Sequence, residues 1–144
     1  MLLSTRNLAY LAWLQAIIAL LGSLYYSEIR HLVPCVLCWY QRILMYPLVI
    51  IIGVGLARGE IKGLPYYVLP FSILGIGFAL FHWLLQMGLL PDVIAPCQAG
   101  ISCTSRYVEY YGFVTIPFMS LIAFSVITTV MLMILKYRKE NHDV

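Results

Sequence analysis

Two thiols and a permanent cation share one short stretch, Pro34-Cys35-Val36-Leu37-Cys38-Trp39-Tyr40-Gln41-Arg42. At the start of a helix, a Cys-x-x-Cys pair is one turn apart, which brings the two Cα atoms within the roughly 4.4 to 6.8 Å that a disulfide requires. Such a pair can open and close. Pro34 suits a first helical turn, so the thiols are expected among unpaired backbone N–H groups at the positive end of the helix dipole, where thiolate is favoured over thiol. Arg42 follows Cys38 by four residues and shares its face. Its charge stabilises a thiolate one turn away, and its guanidinium can donate hydrogen bonds to a carbonyl oxygen of an oxidant. The plainer readings are a helix-start disulfide or half of a zinc site, with Arg42 snorkelling to a membrane interface.

The other two cysteines lie in Pro96-Cys97-Gln98-Ala99-Gly100-Ile101-Ser102-Cys103, where glycine and small residues permit a tight closure. The disulfide there is expected to be exposed and so of the labile, more oxidising kind, whereas a simple staple would be buried and resistant. Four thiols at one end of a molecule also resemble a four-thiolate zinc site. Cys35 with Cys38 and Cys97 with Cys103 are the natural pairs in an oxidising compartment, although four cysteines allow three connectivities and sequence does not choose among them.

His82 and Gln86 are four residues apart in a long apolar run and therefore on one helical face. Counted back from Leu90 at 1.5 Å per residue, Gln86 lies about 6 Å and His82 about 12 Å below the end of the run. Polar groups at that depth face a bundle interior and carry a functional expectation; the bland alternative is a helix-to-helix hydrogen bond of about 1 kcal/mol. With Arg42 at a depth like that of Gln86, and Trp39, Tyr40, Trp83 and Met87 nearby in sequence, the expectation is a pocket for a flat apolar molecule with carbonyls, such as a quinone.

The elements that position these groups follow from composition. The 144-residue chain is 62% hydrophobic and only 10% charged, far from the about 25% charge of soluble domains. A hydrocarbon core of about 30 Å takes about 20 helical residues to cross. Four stretches suffice, residues 8–26, 39–57, 66–90 and 113–135. The expected fold is all-α, an integral membrane four-helix bundle forming a single membrane domain over residues 1–144, with no separate soluble domain. The first run is too long for a signal-peptide core and no small-residue cleavage site follows it, so it is expected to be retained as a helix. Six of the nine cations, Arg6, Arg58, Lys62, Lys136, Arg138 and Lys139, fall on one side of these spans. The positive-inside rule then places both termini and the 58–62 connection in the cytoplasm and leaves two extracytoplasmic loops, 27–38 and 91–112, holding all four cysteines. The formal net charge of +3 reports orientation in lipid, not nucleic-acid binding. No P-loop, dinucleotide fingerprint or His-Glu metal motif is present.

Pro-Cys-Val-Leu-Cys-x-Tyr-x-Arg at 34–42, four spans and a second outer cysteine pair together resemble the DsbB family of membrane thiol:quinone oxidoreductases (disulfide bond formation protein B), in its short BdbC-like type. His82-x-x-x-Gln86 and the Gly112-Phe113 to Ile116-Pro117 entry into the last span are similar to the family pattern as well. The better-known members separate the second cysteine pair by a long segment with an amphipathic helix, whereas five residues intervene here.

The resemblance implies a bacterial multi-pass cell-membrane enzyme that reoxidises an extracytoplasmic DsbA-like (BdbD-like) thiol oxidase and passes the electrons to menaquinone or ubiquinone, supporting disulfide formation in exported proteins. By similarity Cys97 receives the partner's thiolate and Cys103 attacks Cys35. Cys38 then emerges as the thiolate facing the quinone, which Arg42, His82 and Gln86 bind, with no metal involved. A partner near about −120 mV could not be reoxidised by a resistant disulfide below about −300 mV, a step roughly 8 kcal/mol uphill at about 1.4 kcal/mol per 30 mV, so a quinone is needed. A vitamin K epoxide reductase-like bundle uses similar cysteine logic, but the Cys-x-x-Cys here begins the second helix rather than the fourth. The alternative from a different class is a non-catalytic membrane protein with structural disulfides or a four-Cys zinc site.

Overall fold

In the computed structural model residues 4–97, 102–106 and 108–140 are described, Asp92 and Tyr110 by their backbone only. The glycine-bearing stretch 98–101 expected to close the second cysteine loop lies outside the described residues. Four helices dominate: α1 (Thr5–Leu24), α2 (Val36–Arg58), α3 (Leu64–Gln86) and α4 (Ile116–Glu140). Each is long and apolar enough to cross a membrane, so the chain is a four-helix membrane bundle, as its composition led us to expect. Successive helices pack side by side and α4 closes back onto α1, while α2 and α4 scarcely meet across the diagonal.

Helix starts and stops follow local chemistry. Ser4 caps α1 by accepting from the Arg6 backbone N–H, α2 stops at Gly59 in the left-handed conformation, and Pro65 stands in the first turn of α3 where its missing N–H costs nothing. α1 is prolonged by a π-helical turn, Tyr25–Ile29. Pro47 and Pro70 lie inside α2 and α3, whereas Pro117 falls in the opening turn of α4, where a proline starts a helix.

In lipid the helices gain little by hiding apolar surface from one another, and association rests on close packing and hydrogen bonds. α1 presents a buried face of Leu8, Ala9, Ala12 and Ala16, small enough for its neighbours to approach. α4 inserts Phe124, fully buried, against Gly75 of α3, where any side chain would occupy the place of the ring. Trp13 of α1 reaches over Gly53 and donates its indole N–H to the Val49 carbonyl of α2 at 3.0 Å.

The up-and-down order gathers the start of α1, the α2–α3 connection and the end of α4 at one end of the bundle, where Arg138 donates to the Tyr66 hydroxyl and lies over its ring. The other end holds the cysteines. There a 3-10 turn, Asp92–Ile94, precedes a two-residue antiparallel ladder, β1 (Glu109–Tyr110) with β2 (Val114–Thr115), that leads into α4. Its turn carries Tyr111 and Gly112 at positive φ.

Candidate functional site

Cys35 is the N-cap residue of α2, in an extended conformation, and its carbonyl accepts the Trp39 N–H at 3.1 Å. Cys38 is therefore in the first turn, and Pro34 stands just outside the helix rather than in its first turn. The geometry brings the two sulfurs to 3.1 Å as a hydrogen-bonded pair of free thiols. The second pair, Cys97 and Cys103, is closed as a disulfide with Cα atoms 5.6 Å apart.

The two pairs meet. The sulfurs of Cys35, Cys97 and Cys103 all lie within 4.8 Å of one another, and those of Cys35 and Cys38 within the same distance of a His82 ring nitrogen. Cys35 and Cys103 are both buried, packed with Leu37, Leu85 and Ala95, so the second disulfide, expected to be exposed, has one of its cysteines in the interior because its loop lies against α2 and α3. The short spacing between Cys97 and Cys103 thus does not keep the loops apart: the second loop already rests over the mouth of α2.

What holds it there is α3. His82 is buried, and its Nε2 lies 3.1 Å from the Cys103 carbonyl oxygen and 3.7 Å from the Cys35 sulfur. Nδ1 of the same ring is 3.0 Å from the side-chain amide nitrogen of Gln41. One turn outward, Gln86 donates its amide to the Ser105 carbonyl at 3.2 Å. Arg106 donates in return to the backbone carbonyl of Gln86, capping the end of α3, and pairs with Glu109 at 3.1 Å. His82 and Gln86, singled out for a pocket, each bond the second cysteine loop, and His82 bonds Gln41 of α2 as well.

Beneath the cysteines is a cavity of about 650 Å³, lined by Cys35, Cys38, Arg42, His82 and Gln86 and walled by α1 and α4 as well as α2. Arg42 donates to the Ser23 carbonyl of α1 at 2.9 Å and its guanidinium lies 5.5 Å from the Trp39 ring centroid. The expected aromatic wall is corrected. Trp39 and Tyr40 are largely exposed, Tyr40 packs on Phe78, and Trp83 packs on Phe118 and donates to the Phe113 carbonyl. Tyr25, Tyr26, Tyr46, Met45 and Met119 line the cavity in their place, because α1 and α4, to which the sequence reading assigned no site residue, supply two of its walls. Gln41 and Arg106 were missed too. A glutamine inside an apolar span was the available signal for Gln41; nothing marked Arg106 beyond its position in a loop.

The electrostatics favour charge on Cys35, just outside α2. Its pKa is lowered to about 4, first by the hydrogen bond from Cys38, against burial, with His82 adding to the lowering. Chemically, a stabilised thiolate against a disulfide is the arrangement for thiol–disulfide exchange.

A family model described as disulfide bond formation protein DsbB matches residues 5–134, nearly the whole chain. The chain belongs to the DsbB family. Among its DsbB-family relatives, the disulfide bond formation protein C of Bacillus subtilis is 49% identical over 118 residues, covering 82% of this chain and 85% of that protein. A probable disulfide formation protein C of Halalkalibacterium halodurans is 44% identical, covering 91% and 95% respectively, and a probable disulfide formation protein of Deinococcus radiodurans is 45% identical, covering 82% of each. No solved structure matches. As a DsbB-family member with four membrane-capable helices, the protein is a multi-pass disulfide oxidoreductase of the bacterial membrane.

Proposed function

We propose that the protein reoxidises an extracytoplasmic thioredoxin-like thiol oxidase through Cys97 and Cys103, relays the electrons to Cys35 and Cys38, and delivers them to a membrane quinone. The observation that carries this reading is the junction of sulfurs: Cys35 within 4.8 Å of both members of the second disulfide.

The relay balances in four exchanges. A partner thiolate attacks Cys97, the Cys97–Cys103 bond breaks and Cys103 leaves as thiolate. Cys103 then attacks Cys35, the Cys35–Cys38 bond breaks and the electron pair stays on Cys38. The partner's second thiolate resolves its bond to Cys97 and departs oxidised. Cys97 finally attacks Cys103 and expels Cys35. The outcome is a closed Cys97–Cys103 disulfide beside a Cys35–Cys38 dithiol, the pairing found in the structure. A low thiol pKa makes a better leaving group, so the Cys38 and His82 hydrogen bonds to Cys35 favour that last step.

The cavity suits a quinone. Its volume lies in the about 300 to 1,000 Å³ range of small-molecule sites, and two buried polar atoms of residues lining it, the Tyr46 hydroxyl and Gln86 Oε1, have no partner among the described residues. One is suited to a carbonyl oxygen, the other to a quinol hydroxyl. What a bound quinone supplies is an acceptor for the two electrons and two protons released as the Cys35–Cys38 dithiol closes. Arg42 would hold it, with a positive charge that favours both a Cys38 thiolate and a carbonyl oxygen gaining negative charge. Both termini and the basic end of the bundle would face the cytoplasm, and the cysteine end the outside.

The test is reconstitution: purified protein in lipid, a reduced thioredoxin-like oxidase, and menaquinone or ubiquinone. Partner oxidation that requires both protein and quinone supports the reading; oxidation that proceeds equally without either overturns it. The four-thiolate zinc alternative needs Cys97 and Cys103 open, whereas here they are bonded to each other. Stoichiometric metal in the purified protein would favour it over the relay.

A further inference from the structure

Gln41 has no part in the relay just described, yet it is buried inside an apolar helix, where an amide side chain is costly unless bonded. Its bond is to His82, and a backbone carbonyl among the three contacts of that ring places a hydrogen on Nε2. A backbone carbonyl oxygen has only lone pairs to offer, so the 3.1 Å contact between His82 Nε2 and the Cys103 carbonyl requires the hydrogen on Nε2. In a neutral ring Nδ1 is then an acceptor and needs a donor. The Gln41 amide nitrogen stands there at 3.0 Å.

We propose that Gln41 is a positioning residue that holds His82 in its neutral Nε2–H tautomer, so that one N–H is aimed at both the Cys103 carbonyl and the Cys35 sulfur. The consequence is mechanical and chemical together. The donated hydrogen keeps the second cysteine loop over α2 and stabilises negative charge on Cys35 when Cys97 expels it. Were the proton on Nδ1, the ring would turn a lone pair toward the carbonyl and the thiolate and repel both. Gln41 acts through His82: it also lines the cavity, but its hydrogen bond is to that ring. The inference deepens the proposed relay and rests on it for its functional half; the tautomer itself does not depend on any quinone.

The experiment uses full-length protein in lipid nanodiscs, prepared with the Cys35–Cys38 pair reduced and Cys97–Cys103 closed, and carrying ¹⁵N-labelled histidine. His82→Asn assigns the resonances. The expected wild-type spectrum shows His82 neutral with hydrogen on Nε2. In Gln41→Leu, which keeps bulk without a donor, both tautomers should appear. In Gln41→Glu, which offers an acceptor, Nδ1 should become protonated. Partner turnover at saturating quinone should slow roughly two- to tenfold in Gln41→Leu, the range for one lost neutral hydrogen bond. A wild-type ring protonated on Nδ1, or a Gln41→Leu spectrum identical to wild type, overturns the proposal. So does a change confined to the quinone KM, which would tie Gln41, itself a residue of the cavity lining, to the quinone rather than to His82. Should Gln41→Leu fail to fold, the wild-type and Gln41→Glu spectra still decide. Failure of the relay itself reads differently, as wild-type protein that does not oxidise the partner while its histidine spectrum stands as expected.

Discussion

Arg42 is where membrane and chemistry make opposing demands on one side chain. A guanidinium below the helix end is costly in lipid, and here the cost is offset by the Ser23 carbonyl and the Trp39 ring. Were that all, Arg42 would be an anchor. It also lines the cavity with Cys38, and in the proposed function it holds the quinone there. Arg42→Met keeps much of the apolar stem and removes charge and donors. A lost charge-assisted hydrogen bond is worth about 1.5 to 3 kcal/mol, so turnover against quinone concentration should show a roughly 10- to 150-fold loss at limiting quinone. Lysine should rescue only in part, having charge without the planar fork. Three superimposable curves would return Arg42 to the role of anchor.

Cys35 yields a pH prediction with a definite sign. Its pKa in the reduced protein is depressed to about 4, so the charged sulfur favours the folded reduced state fully above the ordinary thiol range, and that contribution is lost as pH falls through about 4. Ultraviolet thiolate absorbance of the reduced protein should therefore persist through neutral and mildly acidic pH. Cys38→Ala removes the largest cause of the depression, and the midpoint should move upward. Wild-type absorbance that vanishes near the ordinary thiol pKa would show that Cys35 is not charged at the junction.

Among the elements, the second cysteine loop and the end of α3 act as one unit, joined by His82, Gln86 and Arg106. In the relay this unit is the entry for electrons. Cys97→Ser or Cys103→Ser should abolish oxidation of the partner while leaving Cys35 and Cys38 reoxidisable by quinone, measured by thiol trapping after chemical reduction. Variants that oxidise the partner at the normal rate would make the loop disulfide a staple. Packing between α3 and α4 gives a contrast within one helix. Gly75→Ala drives a methyl into the Phe124 ring, whereas Gly77→Ala meets nothing within 4 Å. The first should cost about 1 to 3 kcal/mol and lower the unfolding midpoint, the second leave it near wild type. Equal midpoints would mean that the helices separate there without penalty.

For the molecule as a whole, the separation of ends is the governing feature: basic residues at the starts of α1 and α3 and the ends of α2 and α4, cysteines at the other pole. With the basic pole in the cytoplasm, a membrane-impermeant thiol reagent applied to intact, reduced cells should label Cys97 and Cys103. Labelling only after the membrane is broken would invert the proposed orientation.

Much of this was determined by the sequence itself. Four apolar runs with almost no charge leave a membrane bundle as the outcome, because backbone groups in lipid must be paired within helices. A Cys-x-x-Cys followed by an arginine one turn on puts two thiols and a cation at a helix start and leaves redox chemistry, a staple and half a zinc site open; Cys35 proves to be the N-cap residue, with Pro34 outside the helix rather than in its first turn. What only the tertiary structure decided is which groups face one another. Helical spacing placed His82 and Gln86 on one face but not what that face meets, and it meets the carbonyls of Cys103 and Ser105. Nor could spacing put α1 and α4 on the cavity or turn Trp39 and Trp83 away from it, since the rotation of each helix about its axis is set by packing such as Phe124 on Gly75 and Trp13 over Gly53. Proximity along the chain positions Cys35 beside Cys38; only the folded bundle brings Cys35 to Cys103.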